Sequence, residues 1–421
     1  MGELSVVPKS PEEPVSARAT SFSTGSGASP DTSPTLPFAL MTLPTVECHA
    51  FRITADIDIL NCSPSLGCTS FGETKRLRQR PRATNTAEMA GLFRMPAFLY
   101  TGLKKFTKQG FERAINDSSP AQVALMDAPA TLASRVCLVT GANQGLGLEI
   151  ATQLAKRQGT VYLCCRNPER GKEAVVKVKQ ASKNEDVHLV ICDVSSLKDV
   201  NRFVNDWTKS KRPLHVLVHN AGVLIHHEDM SNKKKSVDGY EINFATNTLG
   251  VYALTKGLEP VLKLSGTPSS KSRVIIVSSG GAYTSGLEVD DLQGNSLSKD
   301  GSAYYARDKR RQIALAEYFD EHWHEAGDNV TAVSMHPGWA DTEGVRTSIP
   351  GFWKTFKDKL RSPSEGADTV VFLSIVPQDE LVGGAFYLDR HVQKKHLPLA
   401  WTQYPKSKAT KLVERLDDFL K

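Results

Sequence analysis

A tyrosine four residues before a lysine is the spacing in this sequence that could carry out acid–base chemistry. On a helix the two side chains lie one turn apart, and the positive charge of the lysine lowers the pKa of the phenol. Such a phenol can exchange a proton with a carbonyl or an alcohol. The spacing occurs at Tyr100/Lys104, Tyr252/Lys256, Tyr305/Lys309 and Tyr404/Lys408.

Only one of these tyrosines, Tyr305, stands where a parallel sheet binds its ligands. It opens a long helical pattern after the predicted strand at residues 273–278, and Ser279 follows that strand directly. Ligands bind outside the carboxyl ends of parallel strands, so Ser279 and Tyr305 are expected to converge there. The other three tyrosines lie ahead of the fold, within an earlier helix and in the C-terminal tail. We therefore predict that Tyr305, Lys309 and Ser279 act together.

A glycine-rich turn near the start of the predicted sheet indicates a dinucleotide site. Residues 136–139 form an apolar run typical of a buried parallel strand, and Gly141, Gly145 and Gly147 follow it. A helical pattern begins after them. Such a turn lets the backbone approach a pyrophosphate, and the helix N-terminus presents free N–H groups to it. Glycine spacing alone is weak evidence, and the flanking strand and helix strengthen it.

The end of the second predicted strand bears on the choice of cofactor. Folds that hold NAD usually place an acid there for the ribose 2′-hydroxyl, whereas a basic residue accommodates the 2′-phosphate of NADP. This chain has Cys165-Arg166-Asn167 at that place, without an acid. Arg166 therefore predicts a preference for NADP(H) over NAD(H). The alternative is an ordinary surface arginine on a loop.

Strands and helices alternate from Arg135 onward, which predicts an α/β fold. Seven strand-like runs imply a Rossmann-like, doubly wound parallel sheet, flanked by helices and joined by right-handed crossovers. The runs are residues 136–139, 160–165, 187–192, 214–219, 273–278, 330–335 and 385–388. The clearest helical patterns cover residues 196–209, 237–264, 304–324 and 408–420. Residues 287–300 are expected to form a loop beside the site.

Ahead of the predicted sheet the chain divides into two segments. Residues 1–88 are expected to be a disordered extension, because positions 5–45 are rich in Ser, Thr, Pro and Gly and bury too little apolar surface. A basic cluster at positions 75–82 has two interpretations. It is an organelle-targeting or nuclear-import signal, or it belongs to a solvated extension that reflects where translation was taken to begin. We favour the second.

Residues 89–134 form the second segment, which precedes a domain at 135–421. Apolar residues alternate there with Arg and Lys, and Pro96 and Gly102 are expected to break the amphipathic pattern. Residues 89–115 could make peripheral contact with a membrane surface. Alternatively their apolar stripe packs against the domain itself.

Composition excludes several classes of function. Of the 421 residues 40% are hydrophobic and 23% charged, and the net charge is +6. So mild a basic balance, without aromatics interleaved among the basic residues, argues against a nucleic-acid partner. Four of the seven cysteines fall in or at the end of predicted strands, so we expect reduced core thiols and no metal site. No apolar run is long enough to cross a bilayer, which makes a cytoplasmic location the default and an organelle or membrane surface the alternative.

Taken in order, the motifs of residues 135–388 resemble those of the short-chain dehydrogenase/reductase family. The similar positions are Thr140-Gly141-Ala142-Asn143-Gln144-Gly145-Leu146-Gly147, Asp193, Asn220-Ala221-Gly222, Asn247, Ser279, Tyr305 with Lys309, and Pro337-Gly338 with Thr342. His219 departs from the family motif, where asparagine is usual. Residues 335–342 and 346–361 are similar to one subgroup of the family, the dehydrogenase/reductase member twelve type.

The resemblance implies hydride transfer between NADP(H) and a small-molecule carbonyl or alcohol. In carbonyl reduction Tyr305 would supply the proton to the oxygen, and Ser279 would hydrogen-bond that oxygen. Lys309 would hold the nicotinamide ribose and lower the pKa of Tyr305, and Asn247 would position a water that relays protons. The glycine motif would contact the pyrophosphate, Asp193 the adenine, and positions 337, 338 and 342 the nicotinamide. Tyr305, Lys309 and the triplet at 220–222 would complete the cofactor contacts.

The complete catalytic set favours an enzyme over the alternative, a non-catalytic NADP(H)-binding scaffold or redox-sensing partner protein. Residues 343–360 carry several aromatics and fall where this fold usually has a mobile substrate lid. With Trp339, such a lid suggests an apolar substrate of lipid, retinoid or steroid type; alternatively the aromatics pack the lid onto the domain. Related proteins form homodimers through the helices at 237–264 and 304–324, and the same faces are the candidates here.

Overall fold

The computed structural model describes residues 86–398 and 400–421, with side chains from residue 93 onward. The extension predicted for residues 1–88, with its basic cluster, lies outside the described residues except for its last three positions. Positions 86–88 belong to the first helix, so the helical region begins slightly earlier than expected.

Eight strands form one sheet in the order β3-β2-β1-β4-β5-β6-β7-β8. The strands are β1 Val136–Thr140, β2 Thr160–Cys165, β3 Val187–Ile191, β4 Val216–His219, β5 Ser272–Val277, β6 Val330–Met335, β7 Phe386–Leu388 and β8 His391–Gln393. Neighbouring strands from β3 to β7 are parallel. The predicted doubly wound parallel sheet is therefore confirmed. The strand order reverses between β1 and β4, which is where such sheets bind their ligands.

The eighth strand is the one that the sequence pattern did not predict. It runs antiparallel to β7, and Asp389 and Arg390, both with positive φ, form the tight turn between them. Two of its three side chains, His391 and Gln393, are polar. So short and polar a strand carries no periodic signal.

Helices cover both faces of the sheet. They are α1 Thr86–Lys105, α2 Lys108–Asn116, α3 Pro120–Asp127, α4 Gly145–Lys156, α5 Pro168–Ser182, α6 Leu197–Lys209, α7 Ile242–Phe244, α8 Gly250–Ser265, α9 Gly301–Glu325, α10 Glu343–Ser348, α11 Pro350–Phe356, α12 Pro363–Ile375 and α13 Lys406–Asp417. A π-turn spans Ala245–Leu249, and a 3-10 turn spans Gly280–Thr284. Within the described ranges, no helix combines the length and apolar character that crossing a membrane requires.

Buried side chains of the central strands alternate between two cores. In β1, Leu138 joins the core under α6, α8, α9 and α13, whereas Cys137 and Val139 join the core under α4, α5 and α12. The alternation follows from the two-residue period of a strand, and burial on both faces accounts for the continuous apolar run in the sequence. The four cysteines in the described part of the chain are free and buried.

The helix predicted at 237–264 begins later and is interrupted. A turn closes from the Gly239 N–H to the Ser236 carbonyl, and Gly239 has φ +85°. The Glu241 carboxylate then caps α7 by accepting from the N–H groups of Asn243 and Phe244. Because the π-turn separates α7 from α8, the single helix expected from periodicity is three segments.

Helix α1 is continuous where the sequence suggested a break. Pro96 is exposed, and the helix runs through it. Gly102 is explained by packing, because a Cβ there would lie 2.2 Å from Cζ2 of Trp339. Phe98 and Phe106 pack in the same aromatic core as Trp339. The C-terminal half of α1 thus docks on the domain, whereas its opposite side remains exposed.

Candidate active site

The glycine turn after β1 is held against the loop that follows β4. Thr140 Oγ1 accepts from the N–H groups of Asn220 and Ala221 at 3.0 Å each. The Asn220 carboxamide donates to the carbonyls of Thr140 and Gly141. Gly141 has φ +66°, and a Cβ there would lie 2.9 Å from Cα of Ala221, so only glycine permits this approach.

The start of α4 completes this turn. A Cβ on Gly147 would lie 2.3 Å from the Gly141 carbonyl oxygen, which explains a second glycine. Gly145 faces Thr342: a Cβ added at Gly145 would lie 3.6 Å from the Cβ of Thr342. Helix α4 begins without a side-chain cap, so its first N–H groups are available to an anion. The remaining predicted residues of the turn are Asn143, Gln144 and Leu146, which lie between Gly141 and Gly147.

Arg166 and Asp193 face each other beyond the ends of β2 and β3. Arg166 Nη1 lies 3.9 Å from Asp193 Oδ2, and the arginine side chain is 72% exposed. Asp193 Oδ1 accepts from both the N–H and the hydroxyl of Ser195. The carboxylate is therefore fixed, while the guanidinium extends into solvent at the same edge of the sheet as the glycine turn.

Ser279, Tyr305 and Lys309 converge at the end of β5. A Cβ on Gly281 would lie 3.5 Å from Ser279 Oγ and 3.8 Å from Tyr305 Cε1, so the two side chains border the same space. Ser279 Oγ also accepts from the Gly281 N–H at 3.1 Å. Lys309 Nζ lies 5.2 Å from the centroid of the Tyr305 ring. The structure thus brings together the three residues that the sequence placed at one strand end and one helix start.

The other three Tyr/Lys pairs have different surroundings. Tyr100 is 70% exposed on α1. The Tyr252 hydroxyl donates to Asp417 of α13, and the Tyr404 hydroxyl donates to Glu317. These two hydroxyls tie elements together, which is a structural role.

Burial determines the pKa of both groups of the Tyr305/Lys309 pair. It raises the pKa of Tyr305 to about 12, although the side chain of Ser279 lowers it. Burial lowers the pKa of Lys309 to about 8. The net shift of the Tyr305 pKa in this structure is therefore upward, and a lowering of that pKa by Lys309 stays a prediction. The cost of desolvating the phenolate outweighs an ammonium that lies 5.2 Å from the ring.

Asn247 lies in the π-turn and is held by the loop after β4. Its Oδ1 accepts from the Val223 N–H and its Nδ2 donates to the Val223 carbonyl, both at 2.8 Å. Its main-chain carbonyl accepts from Gln312 Nε2 at 2.7 Å, and Gln312 Oε1 accepts from Lys309 Nζ at 3.0 Å. The resemblance implied that Asn247 positions a proton-relaying water; in the structure the Gln312 carboxamide bonds both Asn247 and Lys309. Sequence reasoning missed Gln312, although its place three residues after Lys309 on one helix face could have indicated it.

Asp308 is a second residue that sequence reasoning missed. Its Oδ1 accepts from Thr248 Oγ1 at 2.7 Å and from Arg311 Nη1 at 3.0 Å, and its Oδ2 lies 3.4 Å from Asn247 Nδ2. Burial raises the pKa of Asp308 to about 6. Arg311 also donates to carbonyls at 288, 291 and 292, so the predicted loop at 287–300 is tied to α9 beside the site.

The Pro337-Gly338 segment after β6 is fixed by Arg361. Gly338 has φ +75°, and a Cβ there would lie 2.2 Å from Arg361 Nε. The buried guanidinium pairs with Asp389 and donates to the Lys105 carbonyl at the end of α1. The segment that the resemblance assigns to the nicotinamide is therefore braced by the β7–β8 turn and by α1.

His219, the departure from the family motif, is a core side chain. It is buried, and its Nε2 is hydrogen-bonded with Thr255 Oγ1 of α8 at 2.8 Å. Burial lowers the pKa of His219 to about 3, so the ring is neutral. The loop after His219 remains held against β1, because the N–H groups of Asn220 and Ala221 both donate to Thr140.

Two short helices, α10 and α11, occupy the predicted lid. The Trp339 ring lies 5.1 Å from Phe352 and 5.0 Å from Phe356 between centroids. Trp353 Nε1 donates to Asp341 Oδ1 at 3.0 Å. The aromatic residues therefore pack the lid onto the domain, which is one of the two interpretations that the sequence left open. They also place an apolar layer next to the Pro337-Gly338 segment.

Comparisons with known proteins agree with this geometry. The family described as "short chain dehydrogenase" matches residues 135–349. "Dehydrogenase/reductase SDR family member 12" of Homo sapiens is 39% identical over 327 residues, which are 77% of this chain and 97% of that protein. "Polyprenol dehydrogenase" of Homo sapiens is 33% identical over 276 residues, 64% of this chain and 81% of that protein. A solved structure from Mycobacterium paratuberculosis shares the fold, with a TM-score of 0.54, 24% identity and coverage of 70% of this chain and 96% of that one.

Proposed function

The chain belongs to the short-chain dehydrogenase/reductase family of oxidoreductases, which act on CH–OH and C=O groups, and on this premise we propose that it reduces an apolar carbonyl compound with NADPH. The observation that carries the proposal is the convergence of Ser279, Tyr305 and Lys309 beside the glycine turn. A parallel sheet presents its ligand site at this edge.

The proposed roles follow from the state of each group. Tyr305 donates a proton to the carbonyl oxygen, and a phenol with a pKa of about 12 carries that proton at neutral pH. Ser279, whose side chain borders the same space as the phenol, donates a hydrogen bond to the same oxygen. Lys309 holds the ribose next to the nicotinamide, and Asn247 anchors the π-turn behind it. The dinucleotide, when bound, supplies the hydride.

The preference for NADPH over NADH is supported by Arg166. Its guanidinium is exposed at the end of β2, where the 2′-position of the adenosine ribose lies in this fold. Asp193, 3.9 Å away, orients the guanidinium and is proposed to contact the adenine. A planar guanidinium binds a phosphate with two parallel hydrogen bonds. We therefore assign the 2′-phosphate to Arg166.

An apolar substrate is supported by the aromatic layer of the lid and by a relative. Trp339 and Phe352 lie in the loop and helices that follow Gly338, so they border the proposed nicotinamide segment. The relative named "Polyprenol dehydrogenase" acts, by its name, on a polyprenol, which is a long apolar alcohol. We propose a substrate of lipid, retinoid or steroid type on these two grounds.

Peripheral contact with a membrane surface is proposed for the exposed side of α1. Five of the twelve exposed large hydrophobic side chains among the described residues lie on this helix, which is a concentration typical of an interaction surface. They are Phe93, Met95, Leu99, Tyr100 and Leu103. Exposed lysines at 104, 105 and 108 follow them, so an anionic lipid surface matches both the apolar and the charged part. We accordingly propose a cytoplasmic protein with membrane-surface association.

The homodimer expected through the helices at 237–264 and 304–324 is not part of the proposal. Helix α13 packs on α8 and α9, with Leu412 and Leu416 in the shared core. The Tyr252 hydroxyl of α8 donates to Asp417 of α13 at 2.6 Å. In α9 no side chain from Gly301 to Glu321 is exposed. Helix α13 therefore covers part of the face formed by α8 and α9, whereas Val237 and Leu264 stay exposed.

The test is Tyr305→Phe in the full chain, with NADPH consumption measured against a panel of apolar aldehydes and ketones. We expect kcat to fall by about 10²–10⁴-fold, because the proton donor is lost. NADPH affinity, measured by the cofactor's fluorescence, is expected to change little. Full turnover by the variant would refute the role of Tyr305. A wild-type protein that binds NADPH and consumes none with any carbonyl would favour the non-catalytic scaffold.

A further inference from the structure

Gln312 joins the two halves of the catalytic cluster. Its side chain is fully buried on α9. Its Nε2 donates to the main-chain carbonyl of Asn247 at 2.7 Å, and its Oε1 accepts from Lys309 Nζ at 3.0 Å. The other acceptor of Lys309 is the Val277 carbonyl at 2.8 Å. The ammonium is therefore held between the end of β5 and the amide of Gln312.

We propose that Gln312 is a positioning residue of the reaction, acting through Lys309, and that its carboxamide serves as the link between Lys309 and Asn247. The inference rests on the proposed function, since it assigns a role within the same site. A carboxamide donates only from nitrogen and accepts only at oxygen. The nitrogen of Gln312 therefore bonds Asn247 and its oxygen bonds Lys309, so the carboxamide holds the lysine in place and transfers no proton. A water in the same position could reverse its hydrogen bonds and so transfer a proton.

The surroundings fix this link from several sides. The side-chain oxygen and nitrogen of Asn247 are both hydrogen-bonded to the main chain of Val223, which fixes the position of the π-turn. Asp308 bonds Thr248 in the same turn from α9. A Cβ on Gly222 would lie 3.3 Å from Asn247 Oδ1 and 3.5 Å from Lys309 Nζ, so the loop after β4 closes over both groups. Removing the amide would break the direct connection between Lys309 and the π-turn and leave the ammonium with the Val277 carbonyl as its other acceptor.

Two variants of Gln312 separate its two hydrogen bonds. Gln312→Met has a similar length and removes both bonds. Gln312→Glu keeps an acceptor for Lys309 and loses the donor to Asn247. The matched control is Thr255→Val, which removes a buried hydrogen bond with His219 on α8. Each is made in the full chain and compared by thermal midpoint, NADPH affinity and the pH profile of NADP⁺-dependent alcohol oxidation.

The expected results differ between the variants. Gln312→Met lowers kcat about tenfold or more, with a smaller change in KM for the alcohol, because a hydrogen bond to a charged group is lost. Gln312→Glu moves the pH profile to higher pH by about one unit, because added negative charge beside Lys309 disfavours the phenolate of Tyr305. It is also expected to retain more activity than Gln312→Met. Thr255→Val is expected to lower the thermal midpoint alone.

One outcome overturns the inference: the Gln312 variants lose only thermal stability, as Thr255→Val does, and keep the wild-type pH profile. If the wild-type protein turns over no substrate, the proposed function fails separately. The inference is then decided by NADPH affinity and a crystal structure of Gln312→Met. Weaker NADPH binding with Lys309 Nζ withdrawn from the Val277 carbonyl supports it. Unchanged binding with an unchanged lysine position overturns it.

Discussion

Tyr305 and Lys309 differ from ordinary tyrosine and lysine in the order in which they lose protons. Lys309, with a pKa of about 8, loses its proton well before Tyr305, with a pKa of about 12. A phenol that keeps its proton at neutral pH suits carbonyl reduction, in which it acts as a general acid. The reverse reaction begins from the phenolate, so alcohol oxidation is expected to be favoured by alkaline pH.

Asp308 provides a test of this order, because its carboxylate raises the pKa of both neighbours. Asp308→Asn removes the negative charge and keeps an oxygen that can accept from Thr248 and Arg311. Without that charge the phenolate is easier to form, so the pH profile of alcohol oxidation should move to lower pH by roughly half a unit. The profile is measured as kcat against pH with NADP⁺ in excess.

The control for this prediction is Asp290→Asn, which removes an equal charge from a side chain that is 61% exposed and bonded to Lys411. It should leave the profile in place. A wild-type profile in Asp308→Asn would show that the buried charge does not act on Tyr305.

Arg166 gives the prediction for cofactor choice. Arg166→Glu replaces the guanidinium at the end of β2 with a carboxylate, which would repel a 2′-phosphate and suit a ribose hydroxyl. The Kd for NADPH should rise about 10- to 100-fold, the value of a charge-assisted hydrogen bond, while the Kd for NADH stays or improves. Both are measured by fluorescence titration.

Arg212→Glu, an equal charge reversal at an arginine stacked on Tyr162 and Trp207, should affect the binding of neither cofactor. Equal weakening of both cofactors by Arg166→Glu would contradict the assignment.

The site residues that could be predicted are those whose position follows from the order of strands and helices along the chain. Tyr305 could be chosen from four equally spaced pairs because it alone follows a strand that ends in serine. The spacing of Gln312 from Lys309 was a possible signal, but the roles of Gln312 and Asp308 depend on which side of α9 meets the π-turn, and the sequence does not give that. His219 was assigned to the cofactor motif by its place in the sequence, although its side chain points into the opposite layer, toward Thr255.

Among the elements, α1 shows how packing overrides local preference. Glycine is a poor helix former, and Gly102 lies within a continuous helix because Trp339 occupies the space of its Cβ. Propensity read from sequence therefore predicted a break. The late start of α7 and the π-turn were also hidden, because both depend on the Glu241 cap and on the contacts of Asn247. Long buried strands such as β5 and β6 were predicted closely, since burial on both faces leaves a continuous apolar signal.

Gly102→Ala tests this balance. Alanine gains about 1 kcal/mol in helix propensity, but a methyl group 2.2 Å from Trp339 overpacks the contact at about 1–3 kcal/mol. We expect a net loss of stability, seen as a lower thermal midpoint. Gly351→Ala in α11 is the control, because a Cβ there meets nothing within 4 Å, and it should be neutral or stabilising. A stabilised Gly102→Ala would show that α1 does not pack as described.

At the scale of the whole molecule, the exposed side of α1 and the lid lie on connected elements. Phe98 of α1 and Phe352 of α11 both contact the Trp339 ring. Trp339 therefore connects the helix proposed to contact a membrane with the proposed substrate lid.

Leu99→Glu combined with Leu103→Glu tests the membrane contact. The full chain should bind vesicles that contain phosphatidylserine more strongly than vesicles of phosphatidylcholine alone. The double variant should bind at least about tenfold more weakly, because burial of the exposed part of each leucine contributes on the order of 1 kcal/mol and two glutamates are repelled by an anionic surface. Co-sedimentation measures both. Val237→Glu combined with Leu264→Glu changes two side chains elsewhere that are more exposed than Leu99 and Leu103, and it should bind as the wild type does. Failure of the wild type to bind any vesicle would remove this part of the proposal.

The short antiparallel strand β8 has a consequence for how copies of this chain behave when crowded. It ends one side of the sheet, where unpaired N–H and C=O groups would otherwise offer a template to the strand of a neighbouring molecule. With only three residues, followed by Lys394 and Lys395, it presents too little backbone and too much charge for such pairing. The β7–β8 hairpin thus disfavours aggregation, and its turn residue Asp389 also holds Arg361 in place.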